Sequence, residues 1–328
     1  MTTLPDGLHD FLREAGWGDA AIDPLPGDAS FRRYFRLREN GRGAMLMHAP
    51  PPYEDPKPFL DVAEYLTQQG MRAPAIHHAH AGEGWVLLED FGDDRMRDWL
   101  DARPEDEEAA YEAAVDALVD LHGKPPGPFA AYDMDAYLRE VRLFTEWYVP
   151  AMGLDVDEAA HEGVWREALE PLLDRQDPGV TVLRDYHAEN IMLLGQPAER
   201  AAQGLIDFQD ALVGHPAYDL VSLLQDARRD VSPALEAAML DRYAEATGAG
   251  DDFRADYARL GAQRNAKIVG IFTRLHKRDD KPRYLAMIPR VWEAMERDLA
   301  HPALDPVARW FDANIPAALR RAHGGEIA

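Results

Sequence analysis

The segment LRDYHAENIMLL, residues 183–194, places a cluster of polar side chains between two short apolar runs. The run TVL (181–183) lies on one side of the cluster and the run IMLL (191–194) on the other. Short apolar runs are typical of buried strands, whereas charged side chains are seldom buried without a partner. The polar insert is therefore expected to be a functional loop held by two strands, and its members are Arg184, Asp185, His187, Glu189 and Asn190.

A second segment, GLIDFQD (204–210), follows this loop after the connection GQPAERAAQ. If IMLL and LIDF pair as a hairpin, Asp185, Asn190 and Asp207 come close together. An Asp without a counter-cation can accept the proton of a hydroxyl group that attacks phosphorus. An Asn oxygen and a carboxylate can hold Mg²⁺ against phosphate oxygens. The pattern therefore predicts a phosphoryl-transfer site that works mainly by positioning and electrostatics.

Composition describes an acidic chain without cysteine. The 328 residues suffice for two domains or one two-lobed domain, and 46% hydrophobic content is ordinary for a globular protein. The net charge of −24 disfavours a nucleic-acid partner. Zero Cys excludes disulfides and thiolate metal sites. Neither a signal-peptide pattern nor a membrane-length apolar run is found, so we expect a cytoplasmic protein that has no membrane partner.

The order of elements divides the chain into two parts. Strands are predicted at FRRYFRL and AMLMHA, joined by the turn ENGRG, and they are followed by a helix at FLDVAEYLTQQ and a strand at GWVLLEDFG. Seven further helices are predicted between residues 103 and 315. We expect an α+β chain with a small antiparallel β-rich N-lobe, residues 1–91, and a larger, mostly helical C-lobe, residues 92–328.

These motifs resemble the aminoglycoside phosphotransferase and choline kinase superfamily, whose members share the protein-kinase fold. The resemblance rests on D-x-x-x-x-N at 185–190 and I-D-F at 206–208. GDASFRRYFRL (27–37) stands where the nucleotide-covering loop is expected, and LLEDFG (87–92) stands where the hinge between the lobes is expected. LVDLHG (118–123) is similar to a helix end common in this superfamily.

A narrower resemblance is to the anomeric sugar kinases of peptidoglycan recycling. These enzymes phosphorylate the C1 hydroxyl of N-acetylmuramate and N-acetylglucosamine. The similar segments are GDAS-x-RRY-x-R, APPP, LRDYHAENIMLL, IDFQDALVGHPAYDLVSLLQDAR and QRNAKIVGIFTRL. The resemblance implies a small-molecule sugar substrate and no obligate protein partner.

The resemblance also implies roles for individual residues. Asp185 would be the catalytic base, and Asn190 and Asp207 would hold Mg²⁺. The candidates for contacts with ATP, including the hinge backbone that would read adenine, are Ser30, Phe31, Arg33, Glu89 and Phe91. The candidates for contacts with the substrate are Tyr186, His187, Glu189, Asp210, Arg264 and Arg274, of which the two arginines could pair with the lactyl carboxylate of N-acetylmuramate.

The sequence departs from the superfamily pattern at two places. The usual His-Gly-Asp of the catalytic loop is Leu183-Arg184-Asp185 here. The strand AMLMHA lacks the basic residue that usually holds the ATP phosphates. Lys57, Arg33 or Arg36 could take that role, or the loop backbone and the metal could suffice. Glu64 could orient such a cation or could lie on the surface.

Three functions follow from these observations. The first is an ATP- and Mg²⁺-dependent kinase for the anomeric hydroxyl of the two amino sugars. The second keeps the chemistry but transfers the phosphoryl group to an aminoglycoside, a choline-like amine or another small alcohol, which would suit the acidic chain. The third is a nucleotide-binding protein without transfer activity. A P-loop kinase and a serine hydrolase are excluded because their glycine-rich motifs are absent from the sequence.

Two further features have structural explanations. HHAH, with His77, His78 and His80, could suggest zinc. However, adjacent histidines face opposite sides of a strand and no Glu or Cys at ligand spacing accompanies them, so we expect no zinc site. Asp219 in AYDL is expected to brace the loop through a hydrogen bond.

Overall fold

A computed structural model of the protein describes residues 4–27 and 31–327. The predicted nucleotide-loop residue Ser30 lies outside these ranges. The N-lobe contains a five-stranded antiparallel sheet of order β1-β2-β3-β5-β4. Its elements in chain order are α1 (Leu8–Glu14), β1 (Ala21–Pro24), β2 (Arg33–Glu39), β3 (Arg42–His48), α2 (Lys57–Gln68), β4 (Ile76–His80) and β5 (Trp85–Leu88).

The hairpin between β2 and β3 follows from the predicted turn. Asn40 and Gly41 have φ values of 50° and 77°, which is the conformation that a two-residue turn needs. The register then runs from Arg33 opposite His48 to Glu39 opposite Arg42. The predicted strands are confirmed, whereas β1 and β4 were not predicted because AIDP and IHHAH carry little apolar alternation.

The two faces of the sheet have different neighbours. Phe35 and Leu37 pack with Phe11 and Leu12 of α1 in a small core of their own. Because side chains alternate along a strand, Tyr34 and the other even-numbered residues of β2 point to the opposite face, toward the C-lobe. This alternation decides which basic residues of the N-lobe reach the space between the lobes.

The C-lobe is mostly helical and carries two short two-stranded sheets, β6 with β9 and β7 with β8. Its elements are α3 (Met96–Ala102), α4 (Glu107–His122), α5 (Met134–Leu143), α6 (Val149–Ala151), α7 (Glu158–Gln176), β6 (Val180–Val182), β7 (Ile191–Leu193), β8 (Gln203–Leu205), β9 (Leu212–Gly214), α8 (Ala217–Leu224), α9 (Pro233–Thr247), α10 (Asp252–Lys277), α11 (Ile288–Leu299), α12 (Asp305–Asn314) and α13 (Ala317–Arg321). The predicted helices are confirmed, but α3 and the long α7 were not predicted. Within α7, Gly163 and Pro171 weaken the helical pattern.

Helix α10 runs through the centre of the C-lobe and is buried along most of its length. At Gly270 it touches the backbone of the π-helical turn that follows α5, Phe144–Tyr148. A Cβ atom at Gly270 would lie 2.2 Å from the carbonyl oxygen of Leu143, so only glycine permits this approach. The side chains on α10 are thereby held at a fixed distance from α5.

The connection between the lobes runs from the end of β5 to the start of α3. Arg72 forms an ion pair with Glu89, and Arg36 forms ion pairs with Asp90 and Asp93. The predicted boundary between the N-lobe and the C-lobe, after Phe91, falls within this connection. None of the helices in the two described ranges is both long and apolar enough to span a membrane.

Candidate active site

Two pairs of short strands frame the polar loop. β7 pairs with β8 so that Ile191 lies opposite Leu205, and the Ile206 N–H donates to the Asn190 carbonyl oxygen at 3.1 Å. The predicted hairpin is confirmed, and it brings Asn190 beside Asp207. The start of the loop is held by a second pair, β6 with β9, which the sequence did not reveal.

Asp219 braces the loop as predicted. Its carboxylate is fully buried and accepts hydrogen bonds from the backbone N–H groups of Leu183 at 2.7 Å and Arg184 at 2.8 Å. The Ser222 hydroxyl donates to the Arg184 carbonyl oxygen at 2.9 Å. Arg184 has a φ of 69°, a conformation that costs a non-glycine residue about 1–2 kcal/mol. The three hydrogen bonds fix the backbone that leads directly into Asp185.

A buried cluster of charges lies beside this turn. Glu140 on α5 forms ion pairs with Arg184 and with Lys267 on α10, whose Nζ lies 2.8 Å from the Glu140 carboxylate. Lys267 also donates to the Tyr218 hydroxyl at 3.1 Å. Although burial acts to raise it, the charges of Lys267 and Arg184 hold the pKa of Glu140 at about 2. The cluster is ionised at neutral pH and ties the loop to α5 and α10.

Asp185 is half-buried beside these cations. Burial acts to raise the pKa of Asp185, but the neighbouring groups, first Lys267 and then His187 and Arg264, hold it below the usual range. The carboxylate is ionised at neutral pH, which is the state in which it can orient a hydroxyl group and accept its proton.

The Asp207 carboxylate lies near Arg32 of the N-lobe, and Asn190 lies beside Asp207 in the hairpin. The Asn190 amide nitrogen donates to the Asp185 carbonyl oxygen at 3.0 Å, which leaves its amide oxygen for another partner. The Asp207 carboxylate is 48% exposed and accepts from Gln209 Nε2 at 3.1 Å. A carboxylate and an amide oxygen are the donors that a hard cation such as Mg²⁺ prefers, so these residues fit the ion.

A cavity of about 400 Å³ lies between the lobes near Asp207. Arg32, Met47 and Phe59 line it from the N-lobe, and Gln209 and Asp210 line it from the C-lobe. Asp210 is exposed there, as its predicted substrate role requires.

Phe31 lies at the rim of this cavity. Its ring, 64% exposed, lies 5.2 Å from the ring of Tyr53, a residue that also lines the cavity. The Phe31 N–H donates to the Glu54 carboxylate at 3.1 Å. Phe31 is therefore well placed for the predicted nucleotide contact, and Tyr53 is a neighbour that sequence reasoning missed.

The predicted contact between Arg33 and ATP does not fit the structure. The Arg33 guanidinium lies 5.2 Å from the ring of Phe35, on the α1 face of the sheet and away from Asp207. The reason is strand alternation, since a shift of one residue reverses the face. Arg32, one residue earlier, points to the cleft instead, with its guanidinium 3.8 Å from Asp207 and 4.0 Å from Glu54.

The other candidates for the missing cation are engaged elsewhere. Arg36 is bound to the hinge carboxylates Asp90 and Asp93 at 2.7 and 2.9 Å. Lys57 is exposed and pairs with Asp61 one turn along α2. Glu64 is exposed, so the surface alternative for it is correct.

The side chains of the predicted adenine segment have structural partners. Glu89 is paired with Arg72, and its N–H donates to the Ala75 carbonyl oxygen at 2.9 Å. The Phe91 ring lies 4.7 Å from the Arg72 guanidinium and packs against Gly204, where a Cβ atom would approach the ring to 2.7 Å. These contacts fix the hinge, and any contact of Glu89 or Phe91 with adenine would be through the backbone.

Two of the predicted substrate residues are turned into the protein. Tyr186 is buried and its hydroxyl donates to the Ala114 carbonyl oxygen of α4 at 2.9 Å. His187 is also buried, with Nε2 3.4 Å from both the Asn190 amide nitrogen and the Arg228 guanidinium. Burial lowers the pKa of His187, and the negative charge of Asp226 opposes this only in part. Both residues position the loop, and direct contact with substrate is not supported for Tyr186.

Glu189 is engaged by three arginines. Arg97 lies 2.6 Å, Arg228 2.7 Å and Arg95 3.4 Å from its carboxylate oxygens. These ion pairs connect the loop to the start of α3 and to the segment after α8. Because its charge is already neutralised, Glu189 acts as a scaffold for the loop, and its predicted substrate role is not supported.

The two predicted substrate arginines lie apart. Ten residues along a helix separate Arg264 from Arg274 by about 15 Å. Arg264 is 3% exposed and donates to the Ser222 hydroxyl oxygen at 2.8 Å. Its positive charge contributes to the lowered pKa of Asp185. Its Nη1 atom has no hydrogen-bond partner among the residues that the structure describes. Arg274 is near Arg278 and Asp279 instead, so the structure does not bring it to Asp185.

The phosphotransferase enzyme family matches this chain over residues 21–262. This span contains the sheet of the N-lobe, the polar loop, Asp207 and most of the helices around them. The chain belongs to this family. Its members are phosphotransferases, so this chain is a phosphotransferase as well.

Individual relatives support the same assignment. The N-acetylmuramate/N-acetylglucosamine kinase of Caulobacter vibrioides is 37% identical, and the match covers 95% of this chain and 96% of that protein. The kinase of the same name from Pseudomonas aeruginosa is 36% identical over 90% of each. ADP-bound aminoglycoside phosphotransferase APH(2″)-Ib matches at 16% identity with a TM-score of 0.59, covering 89% of this chain and 97% of that chain. The two-lobed protein-kinase-like fold is confirmed, and the protein is a kinase-type enzyme that uses a nucleotide.

Proposed function

We propose that the protein transfers the γ-phosphoryl group of Mg-ATP to the anomeric hydroxyl of N-acetylmuramate and N-acetylglucosamine, in cell-wall recycling in the cytoplasm. The observation that carries the proposal is full-length similarity to kinases of that name in Caulobacter vibrioides and Pseudomonas aeruginosa. The ionised Asp185 beside a metal-binding pair of oxygens supports the reaction type.

In this mechanism the protein mainly positions the reacting groups. Asp185 orients the acceptor hydroxyl and takes its proton, and Asn190 and Asp207 would hold Mg²⁺. The metal, when bound, neutralises charge on the phosphate oxygens. The hinge backbone from Glu89 to Phe91 receives adenine. Water must be excluded from the reacting phosphoryl group, and the cleft between the lobes provides the enclosure.

Arg32 is our candidate for the cation that holds the ATP phosphates. Arg32 directly precedes β2, and its guanidinium lies near Asp207. Its side chain is only 15% exposed. Glu54, 4.0 Å away, is placed to orient it. Arg32 would thus provide, from the start of β2, the positive charge that a basic residue of β3 usually provides in the superfamily.

Arg264 is our candidate for recognition of the acceptor. Its buried Nη1 atom has no hydrogen-bond partner in residues 4–27 and 31–327, and its positive charge lowers the pKa of Asp185. A guanidinium group in such a place favours an anionic acceptor group, such as the lactyl carboxylate of N-acetylmuramate. The neutral N-acetylglucosamine would then depend less on Arg264.

The direct test measures ADP release from Mg-ATP with N-acetylmuramate, N-acetylglucosamine, kanamycin and choline offered separately. We expect turnover with both amino sugars, loss of their reducing ends, and loss of turnover by at least about a thousand-fold in Asp185→Asn. Turnover with kanamycin or choline alone would refute the sugar assignment. ATP binding without transfer to any acceptor would refute kinase activity toward all four.

Arg32 and Arg33 form a matched pair for the phosphate contact. Arg32→Met should raise the KM for ATP about ten- to a hundred-fold, because one charged contact contributes about 1.5–3 kcal/mol. Arg33→Met removes the same charge from the opposite face and should leave KM nearly unchanged. Equal effects of the two substitutions would refute the assignment of Arg32.

A further inference from the structure

A cluster of potential metal ligands lies on the outer side of the N-lobe, away from the cleft. His78 and His80 are two residues apart on β4 and therefore share one face of the sheet. Glu14, at the end of α1, reaches the same place from the helix. Glu14 is distant from β4 in the sequence, so its position beside the alternate pair of histidines could not be predicted from ligand spacing.

The distances match those of a metal site. Glu14 Oε1 lies 3.3 Å from His80 Nε2 and 3.8 Å from His78 Nε2. The three ligand atoms all lie within 4.8 Å of one another. Ligand atoms about 2.0–2.1 Å from a tetrahedral zinc ion lie about 3.4 Å apart, so small side-chain adjustments would suffice.

The imidazole rings are already held in place. Phe11 of α1 lies 5.3 Å from the His78 ring and 5.8 Å from the His80 ring, measured between centroids. The Nε2 atom of His78 is shielded from solvent and has no hydrogen-bond partner within the described part of the chain. On the far side of His80, Nδ1 lies 3.8 Å from the Glu83 carboxylate, the position of a group that orients a metal-bound histidine.

We propose that Glu14, His78 and His80 bind a divalent transition-metal ion, with zinc the preferred ion, and that the ion ties α1 to β4. Two imidazoles and one carboxylate suit zinc better than Mg²⁺, which prefers oxygen ligands. Three protein ligands leave a coordination position for water. The site lies on the α1 face of the sheet, where Trp85 and Leu87 are the cross-strand partners of the two histidines. It is therefore separate from the phosphoryl-transfer site.

The test uses the full chain freed of metal by chelation, without nucleotide, and titrated with Zn²⁺ in competition with a chromophoric chelator. His77 provides the matched control because it is exposed, directly precedes His78 and is not part of the ligand cluster. We expect the wild type and His77→Gln to bind one more zinc equivalent than His80→Gln. Co²⁺ should give visible absorption bands of a low-symmetry site in the first two proteins and not in the third.

Thermal unfolding supplies an independent readout. Zinc at about a hundred times its Kd should raise the Tm of the wild type and of His77→Gln by a few degrees, and that of His80→Gln by much less. If His80→Gln does not fold, Glu14→Gln, which changes an exposed helix-end residue, should weaken zinc binding at least ten-fold. Equal stoichiometry and affinity in the wild type and in the ligand variants, or no zinc binding by the wild type, would overturn the proposal.

Discussion

Asp219→Asn tests how the catalytic loop is held. The two carboxylate oxygens accept hydrogen bonds from the N–H groups of Leu183 and Arg184 in a fully buried place. Asparagine has the same shape but presents an NH₂ group to one of those two donors. One hydrogen bond is lost, the other loses its charged acceptor, and one buried N–H has no partner.

The magnitude follows from these contacts. A hydrogen bond to a charged group contributes about 1.5–3 kcal/mol, and a buried unsatisfied donor costs about 1–3 kcal/mol. Asp219→Asn should therefore lower the free energy of unfolding by about 2–4 kcal/mol. Ser222→Ala removes one neutral hydrogen bond to the Arg184 carbonyl oxygen and should cost only about 0.5–1.5 kcal/mol. Because Arg184 precedes Asp185, a shift of about 1 Å in the loop should also lower kcat by about a hundred-fold.

The assay is urea unfolding followed by tryptophan fluorescence, with the free energy of unfolding obtained by linear extrapolation. ADP release with saturating Mg-ATP and N-acetylglucosamine gives kcat for the same proteins. Ser222→Ala serves as the graded control because it touches the same turn. The reasoning fails if Asp219→Asn lies within about 0.5 kcal/mol of the wild type, or if it destabilises no more than Ser222→Ala.

Two further predictions concern stability. The pKa of Glu140 in the folded state is about 2, because Lys267, Arg184 and the hydrogen bonds to its carboxylate together outweigh burial. Its contribution to the free energy of unfolding is therefore present above the ordinary pKa of 4.5 and is lost as the pH falls toward 2. Urea unfolding should show the advantage of the wild type over Glu140→Gln shrinking by about 2 kcal/mol between about pH 5 and pH 3; a constant difference would contradict this. Gly270→Ala should destabilise by more than about 2 kcal/mol, because its Cβ would meet the backbone of Leu143. Gly163→Ala, on an open surface of α7, should stabilise by about 0.5–1 kcal/mol, and similar results for the two glycines would reject the packing argument.

The sequence predicts those parts of the fold that depend on residues close to one another in the chain. ENGRG specifies its own turn conformation, and β7 and β8, which contain parts of the segments IMLL and GLIDF, pair across a short connection. The proximity of Asn190 and Asp207 depends on this hairpin, and Asp185 precedes Asn190 in the same loop. Their proximity could therefore be predicted, although their chemistry was inferred through the family resemblance.

The parts that escaped prediction depend on contacts between distant segments. Glu140 and Lys267 lie 127 residues apart and meet only because α5 packs on α10. The signal for Lys267 was present as a single cation in the apolar stretch AKIVGIF, but the sequence offers no partner for it. Arg32 and Arg33 could not be distinguished without the register of β2, since one residue decides the face.

The Arg184 position shows how the departure from the superfamily pattern is accommodated. The usual glycine would adopt a φ of 69° without cost, whereas arginine pays about 1–2 kcal/mol for it. The penalty is offset because the same side chain pairs with Glu140, and Glu140 in turn holds Lys267 near Asp185. A glycine could not make that connection. The substitution therefore couples the conformation of the loop to α5 and α10, so that the charge on Asp185 and the position of its backbone depend on one ion cluster.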